Sequence, residues 1–175
     1  MYFETTKTDP ATSLASGTWI LDPERSRLEF RVPLLYGRIG TVKGGFERFR
    51  GTLDVAARPA IELAVVADSV DTGNARRDKH LRSAAFFDAE QHPEVRFESE
   101  SVALDGEALH IKGVLGAAGE SVPLDVAATV HPVGEEFEIE AHAEVDQRRL
   151  GMTYSPLGML RPPATLALSG CLVRW

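Results

Sequence analysis

Apolar and polar residues alternate along most of this chain. Successive side chains of a β-strand point to opposite faces, so each alternating run predicts a strand with one apolar face. The longest run covers residues 136–146, in which the apolar positions are Phe137, Ile139, Ala141, Ala143 and Val145. The same period recurs in five other runs, at residues 27–32, 61–67, 95–97, 109–113 and 166–172. A sheet that exposes one face is typically antiparallel, because parallel sheets are buried on both faces.

Turn-forming residues separate several of these runs. Asp105-Gly106 lies between two of them, Ala118-Gly119-Glu120 follows the second, and residues 132–134 precede the acidic run. Short turns of this kind join consecutive strands as hairpins. We count about eight strands, the number at which a closed barrel holds one small ligand or only its own side chains. The chain is therefore predicted to be all-β, an antiparallel lipocalin-like barrel.

Residues 78–89 depart from the alternation and predict a short helical segment. The apolar residues of this segment fall at helical spacing, namely Leu81, Ala84, Ala85 and Phe86. Asn74 or Asp71 could cap the start of the helix. His92-Pro93 would end it before the strand that contains Val95.

The length and charge of the chain narrow its class. A chain of 175 residues fits one domain, with 43% hydrophobic and 26% charged residues. We expect residues 1–17 to form a flexible N-terminal arm and residues 18–175 to form the barrel. The formal net charge of −7 argues against sequence-independent nucleic-acid binding, which needs clustered basic residues. The basic residues between Arg76 and Arg82 are interrupted by Asp78 and predict a solvated helix face.

Neither an export signal nor a membrane-spanning segment is expected. The first 17 residues contain no apolar stretch that could serve as a signal-peptide core, so we expect a cytoplasmic protein. No segment approaches the roughly 20 apolar residues that a helix needs to cross a bilayer. Cys171 is the only cysteine, which excludes an intrachain disulfide; its apolar neighbours predict an inert thiol in the core.

Several ordered motifs resemble those of the YceI-like family of polyisoprenoid-binding, lipocalin-like proteins. The most specific blocks are Val70-Asp71-Thr72-Gly73, Arg77-Asp78-Lys79-His80-Leu81-Arg82-Ser83, Phe86-Phe87-Asp88 and His92-Pro93. Trp19-Ile20-Leu21-Asp22 is similar to the family's opening strand, and weaker matches continue to Leu150-Gly151-Met152. The chain departs from the family where Arg25 replaces a common histidine. Gln147 replaces the usual arginine four residues before Gly151.

The resemblance implies a barrel whose inward side chains leave an elongated apolar tunnel. Twelve apolar residues are candidates for its lining: Phe30, Phe46, Phe49, Leu63, Val65, Phe86, Phe87, Phe97, Ile111, Phe137, Ile139 and Leu168. The alternative for each of them is a place in a dry core, because an alternating face looks the same in both cases.

Arg77, Asp78 and His80 form the only compact group that could carry acid or base chemistry. Asp78 could orient the His80 imidazole for proton transfer. Alternatively, Asp78 stabilises the first helical turn through the helix dipole, while Arg77 and His80 anchor the segment at the barrel mouth. We favour anchoring and predict no catalytic residue.

No cofactor or metal site is predicted. The five histidines are scattered without ligand spacing, and phosphate-binding or dinucleotide motifs are absent from the sequence. The leading hypothesis is a protein that binds, sequesters or transports a long-chain isoprenoid lipid. The alternatives are a small enzyme that uses Asp78 and His80 on a hydrophobic substrate, or a filled barrel acting as a stress-related interaction protein. The sequence is also compatible with a homodimer.

Overall fold

The computed structural model describes residues 14–34, 38, 40–155 and 159–175. Within them lie eleven strands and one α-helix. The strands are β1 (Gly17–Leu21), β2 (Arg27–Leu34), β3 (Gly40–Phe46), β4 (Phe49–Val55), β5 (Ala60–Val66), β6 (Val70–Asp71), β7 (Glu94–Asp105), β8 (Ala108–Ala117), β9 (Glu120–Val133), β10 (Glu136–Val145) and β11 (Ala164–Arg174). The helix, α1 (Ala75–Arg82), follows β6. Short 3₁₀ turns follow β1, β5 and β10, at Pro23–Arg25, Ala67–Ser69 and Gln147–Leu150.

Strand β1 closes the sheet by pairing along both of its edges. Trp19 lies opposite Leu53 of β4 and also opposite Arg174 of β11. From β4 the sheet continues through β5, β7, β8, β9 and β10 to β11, with each neighbouring pair antiparallel. Eight strands thus form a closed antiparallel barrel, which confirms the predicted fold class.

The remaining strands, β2, β3 and β6, extend one side of the barrel. β2 continues β1 and pairs with β11, β3 pairs with β2, and β6 pairs with β3. An irregular segment separates each of these three strands from the strand of the closed barrel that it adjoins in sequence. These segments are the 3₁₀ turns after β1 and β5, and Glu47-Arg48 between β3 and β4. β5 and β7 both stop at the Val66–Glu94 pair, whereas the wall continues past the breaks through β2, β3 and β6.

Alternation along the strands separates an apolar interior from a polar exterior. On β10 the five predicted apolar residues are buried, and Glu138, Glu140, His142 and Glu144 between them are exposed. The inward face of β8 is built from Leu109, Ile111, Gly113, Leu115 and Ala117. The core of the molecule is therefore the barrel lumen, as the two-residue period predicts.

The helix is present but lies earlier in the chain than predicted. It begins after Asn74, whose side-chain oxygen accepts a hydrogen bond from the Arg77 amide at 3.0 Å. It ends at Ser83, whose amide and hydroxyl both donate to the His80 carbonyl. The predicted span of 78–89 was therefore wrong in its second half. Residues 83–92 form turns, with Asp88 at a φ of +48°.

The expected N-terminal arm is only partly within the described residues. Residues 1–13 lie outside them. Leu14 is buried, and the Ala15 carbonyl accepts a hydrogen bond from the Trp19 indole at 3.0 Å. Arg174 donates to the Ser16 carbonyl at 3.0 Å. Residues 14–16 therefore pack on the barrel next to β1 and β11.

Cys171 is buried, but on the outer side of the barrel wall. Leu172 packs in the core, so its neighbour Cys171 points outward, as the strand alternation requires. The Asp22 amide donates to the Cys171 carbonyl at 2.9 Å, and the Cys171 thiol donates to Glu136 at 3.3 Å. The turn after β1 thus covers the thiol. The predicted burial of the thiol is confirmed, but the strand alternation places Cys171 on the opposite face from the lumen.

The register of β10 predicts opposite outcomes for two neighbouring substitutions. Ile139→Glu places an unpaired carboxylate in the lumen and should destabilise the protein by more than about 3 kcal/mol. Glu138→Lys changes an exposed side chain and should change the free energy of unfolding by less than about 0.5 kcal/mol. Urea unfolding monitored by circular dichroism measures both. Equal losses of stability would contradict the register.

Candidate functional site

Two apolar cavities lie within the barrel among the described residues, and the larger of them, at the extended end, has a volume of about 320 Å³. Its walls come from β2, β3, β5, β7 and β8, from α1 and the turns after it, and from the connection between β10 and β11. Most of the lining side chains are apolar. Ligand cavities in proteins typically measure about 300–1,000 Å³, so this volume suits a small or slender molecule.

Seven predicted lining residues meet at the larger cavity. They are Phe30, Phe46, Leu63, Val65, Phe86, Phe87 and Phe97. Phe46 packs against Phe30 and Phe87, with ring centroids 5.7 Å and 5.5 Å apart. Residues from the barrel wall and from the turns after α1 therefore form one aromatic wall of the cavity.

A smaller cavity of about 110 Å³ lies deeper in the closed part of the barrel. The predicted residues Leu63, Phe97, Ile111, Ile139 and Leu168 line it. Five residues line both cavities: Leu28, Leu63, Phe97, Leu115 and Leu166. These five residues form a dividing layer, because each of them borders both cavities.

Gly113 allows the Phe97 ring to occupy this dividing layer. A Cβ atom at Gly113 would lie 2.6 Å from the Phe97 ring and 2.3 Å from the Glu98 carbonyl oxygen. Both distances are shorter than van der Waals contact, so only glycine admits the neighbouring ring and strand at this position. The absence of a side chain at Gly113 therefore leaves the room on the inward face of β8 that the Phe97 ring occupies.

Two of the predicted lining residues, Phe49 and Phe137, line neither of these cavities. Phe137 is buried and packs edge-on against Trp19, with ring centroids 4.9 Å apart. Phe49 is half-buried and packs against the apolar core beside Val65, its partner on β5. These two rings meet other side chains instead of empty space.

Asp78 fixes the connection between β6 and α1. Its carboxylate accepts hydrogen bonds from the Thr72 amide, at 2.9 Å, and from the Thr72 hydroxyl. Arg77 donates to the same hydroxyl oxygen at 2.8 Å and to the Thr72 carbonyl at 2.9 Å. Among the described residues, no hydrogen bond joins Asp78 to His80. The arrangement matches an anchoring role and does not form an Asp–His pair.

The His80 ring points into the larger cavity between two aromatic rings. Its centroid lies 5.3 Å from that of Phe86 and 4.5 Å from that of Tyr154. Tyr154 was not predicted as a lining residue, because it lies in an irregular segment without alternation. Leu28, Met152 and Leu160 were also missed as lining residues. Of these, Leu28 belongs to a run with the expected period, so its signal was present in the sequence.

Gln147 also lines the larger cavity with a polar side chain, and it lies in the 3₁₀ turn after β10. Its carbonyl oxygen accepts a hydrogen bond from the Met152 amide at 3.2 Å, which holds the backbone of the turn. The side-chain Oε1 atom of Gln147 and the Nε2 atom of His80 are both shielded from solvent. Neither atom has a hydrogen-bond partner among the described residues.

The ionised groups around the site are largely paired on the exterior. Arg148 donates to both carboxylate oxygens of Asp146, at 3.0 Å and 2.8 Å, which lowers the pKa of Asp146. On the outer wall, Arg25 donates to both carboxylate oxygens of Glu136, which lowers the pKa of Glu136. Burial, reinforced by the nearby Glu136 carboxylate, raises the pKa of the Cys171 thiol. These interactions leave the lumen itself without an ion pair among the described residues.

Neither a metal cluster nor a membrane-spanning helix is found in the described part of the chain. There, no three His, Cys, Asp or Glu side chains lie close enough to share a metal ion. In the same ranges, no helix is both long and apolar enough to cross a bilayer.

Curated relatives align with part of this sequence. Protein YceI of Escherichia coli O157:H7 is 36% identical over 97 residues, which is 53% of this chain and 51% of that protein. A UPF0312 protein of Pseudomonas aeruginosa strain LESB58 is 33% identical over 116 residues, covering 62% of this chain and 58% of the relative. The chain thus matches somewhat more than half the length of these relatives.

Solved structures share the fold at low sequence identity. BcnA of Burkholderia cenocepacia superimposes with a TM-score of 0.78 at 14% identity, over 87% of this chain and 99% of that one. A polyisoprenoid binding domain from Saccharophagus degradans gives a TM-score of 0.72 at 13% identity, over 91% and 99%. The YceI protein of Campylobacter jejuni gives 0.69 at 21% identity, over 77% and 85%.

The family assignment comes from the sequence itself. Residues 19–169 match the model of the YceI-like domain, a range that includes at least part of every described strand. The match includes the Thr72, Asp78 and His80 segment that the sequence motifs singled out. The chain therefore belongs to the YceI-like family.

Proposed function

We propose that this chain binds a long-chain isoprenoid lipid, such as a quinone tail or a polyprenyl lipid, inside its barrel. The lipid would be sequestered or carried and not chemically changed. The observation that carries the proposal is the pair of apolar cavities, about 320 Å³ and 110 Å³, which share five lining residues. A slender branched chain that displaced the dividing layer would occupy both.

Side-chain rearrangement is the step that this proposal requires. Leu28, Leu115 and Leu166 belong to the dividing layer, and leucine side chains change rotamer without breaking backbone hydrogen bonds. The backbone of the barrel would remain fixed, because every strand of the closed part is paired on both edges. The ligand named for the Saccharophagus domain, a polyisoprenoid, supports the same class of ligand for this chain.

The enzymatic alternative receives less support from the geometry. A general base must hold its catalytic partner within hydrogen-bond reach. The Asp78 carboxylate instead accepts hydrogen bonds from Thr72, and His80 contacts the aromatic rings of Phe86 and Tyr154. A filled barrel is the third possibility, and the empty volume at the extended end argues against it.

Affinity for prenols should rise with chain length and then reach a plateau. For a ligand of about twenty carbons, roughly 0.3 kcal/mol per heavy atom gives about 6 kcal/mol, a dissociation constant on the order of tens of micromolar or lower. Protein stripped of lipid by refolding would be titrated with geraniol, farnesol and geranylgeraniol. Undetectable binding at every length would show that the barrel is filled and would refute the proposal.

Narrowing the larger cavity should shift this plateau to shorter prenols. Val65 is 3% exposed and lines the larger cavity, so Val65→Trp would fill part of it, at a cost of about 1–3 kcal/mol in stability. Val133→Trp is the matched control, because Val133 is 48% exposed at the end of β9. The same titration series measures both variants. An unshifted plateau in folded Val65→Trp protein would mean that the chain does not enter this cavity.

Asp78→Asn should weaken the fold without removing a reaction. The substitution removes the negative charge of the group that accepts hydrogen bonds from the Thr72 amide and hydroxyl. We therefore expect the free energy of unfolding to fall by about 1–3 kcal/mol. Asp125→Asn, on the exposed face of β9, is the control and should change little. Activity towards prenyl esters would be assayed in parallel with His80→Ala. Turnover by the unmodified protein that disappeared in both folded variants would favour the enzyme instead.

A further inference from the structure

Within the described ranges, two buried polar atoms in the larger cavity have no hydrogen-bond partner. They are Nε2 of His80 and Oε1 of Gln147, on side chains that both line this cavity. A polar atom buried without a hydrogen bond costs about 1–3 kcal/mol, so such atoms are rare unless a ligand or water completes them. Both belong to rigidly held backbone, His80 in the last turn of α1 and Gln147 in the 3₁₀ turn after β10.

The chemistry of the two atoms indicates what would complete them. Oε1 of Gln147 is a hydrogen-bond acceptor, and it therefore needs a donor on the ligand. An imidazole Nε2 either donates or accepts, so it pairs with any hydroxyl. A hydroxyl group supplies both a donor and acceptor lone pairs. A hydrocarbon supplies neither, and an ether or a quinone carbonyl supplies no donor.

The nearby arginines do not form a phosphate site. Arg148 lines the cavity, but its Nε and Nη2 atoms donate to Asp146. Arg77 directs its Nε and Nη2 atoms to Thr72, beside the buried Asp78. A guanidinium group binds phosphate most tightly through two parallel N–H donors, and in both residues the Nε–Nη2 edge that could supply them is already engaged, which leaves only the Nη1–Nη2 end. The carboxamide oxygen of Gln147 would also repel a phosphate oxygen.

We infer that the larger cavity holds the head of the lipid, and that this head is neutral and carries a hydroxyl group, as in a free prenol or a prenylated phenol. The hydroxyl donates to Oε1 of Gln147 and pairs with Nε2 of His80, while the prenyl chain fills the apolar remainder. This inference rests on the proposed isoprenoid-binding function and specifies the class of lipid.

The test compares four probes that share one prenyl chain and differ in the head. Lipid-free protein is titrated with geranylgeraniol, its methyl ether, geranylgeranyl phosphate and the corresponding hydrocarbon. We expect the alcohol to bind about 5- to 100-fold more tightly than the ether, because the ether leaves the glutamine oxygen unpaired. We expect the phosphate to bind more weakly than the alcohol.

Gln147→Met tests whether this preference comes from the carboxamide. Methionine keeps the length of the side chain and removes its acceptor, so the ratio of alcohol to ether affinity should fall to within about twofold. Gln91→Met makes the same change at an exposed position outside the cavity and should leave the ratio unchanged. His80→Phe keeps the aromatic contacts with Phe86 and Tyr154 and should also reduce the ratio.

A second measurement does not depend on any lipid. Gln147→Met should raise the melting temperature of the ligand-free protein by about 2–4 °C, since it removes an unpaired buried atom. A lower melting temperature would mean that the carboxamide has a partner within the protein, and it would overturn the inference.

The binding results separate failure of the inference from failure of the proposed function. Equal affinity for alcohol, ether and hydrocarbon would keep isoprenoid binding and overturn the hydroxyl head. Tighter binding of the phosphate, or an alcohol preference that survives Gln147→Met, would overturn it as well. If none of the four probes bound, the isoprenoid function and the head-group inference would both be wrong.

Discussion

Closure of the sheet through β1 is the constraint on which the rest of this structure depends. β1 is only five residues long, yet it pairs with β4 on one edge and with β11 on the other. Once the sheet is closed, every inward side chain must share one lumen, and edge strands are removed from the closed part. The alternation on each strand then decides which residues enter that lumen. An apolar interior follows directly from the closure and the two-residue period together.

The larger cavity arises because the barrel wall does not have the same length all the way round. Breaks after β1, between β3 and β4, and after β5 allow one side of the barrel to extend beyond the other. Helix α1 and the turns after it lie beside this extension and contribute Leu81, Phe86 and Phe87 to the lining. Thr72, held by Arg77 and Asp78, sets the start of the helix relative to β6. The buried Asp78 carboxylate thus fixes the backbone between β6 and α1. The position of the aromatic lining residues therefore depends on this polar contact with Thr72.

Polar atoms that lack a partner are unfavourable for folding and therefore informative about function. The lumen is almost wholly apolar, so His80 and Gln147 stand out at its extended end. Native proteins satisfy nearly all buried polar groups, so each exception calls for a physical explanation. An apolar cavity with a few convergent polar groups is the usual form of a small-molecule site. In the proposed function, the apolar volume would retain the prenyl chain, and the two polar atoms would orient its head.

The sequence by itself determined the class of fold, because the two-residue period and the turn residues are local properties of the chain. It assigned the inward face of β10, the short helix and ten of the residues that line the two cavities. It could not distinguish Phe97, which lines the cavities, from Phe137, which does not, since both belong to the same kind of alternating run. Only the tertiary structure decided that Phe137 meets Trp19, whereas Phe97 lies across Gly113 and borders empty space. The physical reason is that alternation specifies the face on which a side chain lies, while the residue across the barrel, distant in sequence, decides whether that face meets protein or cavity.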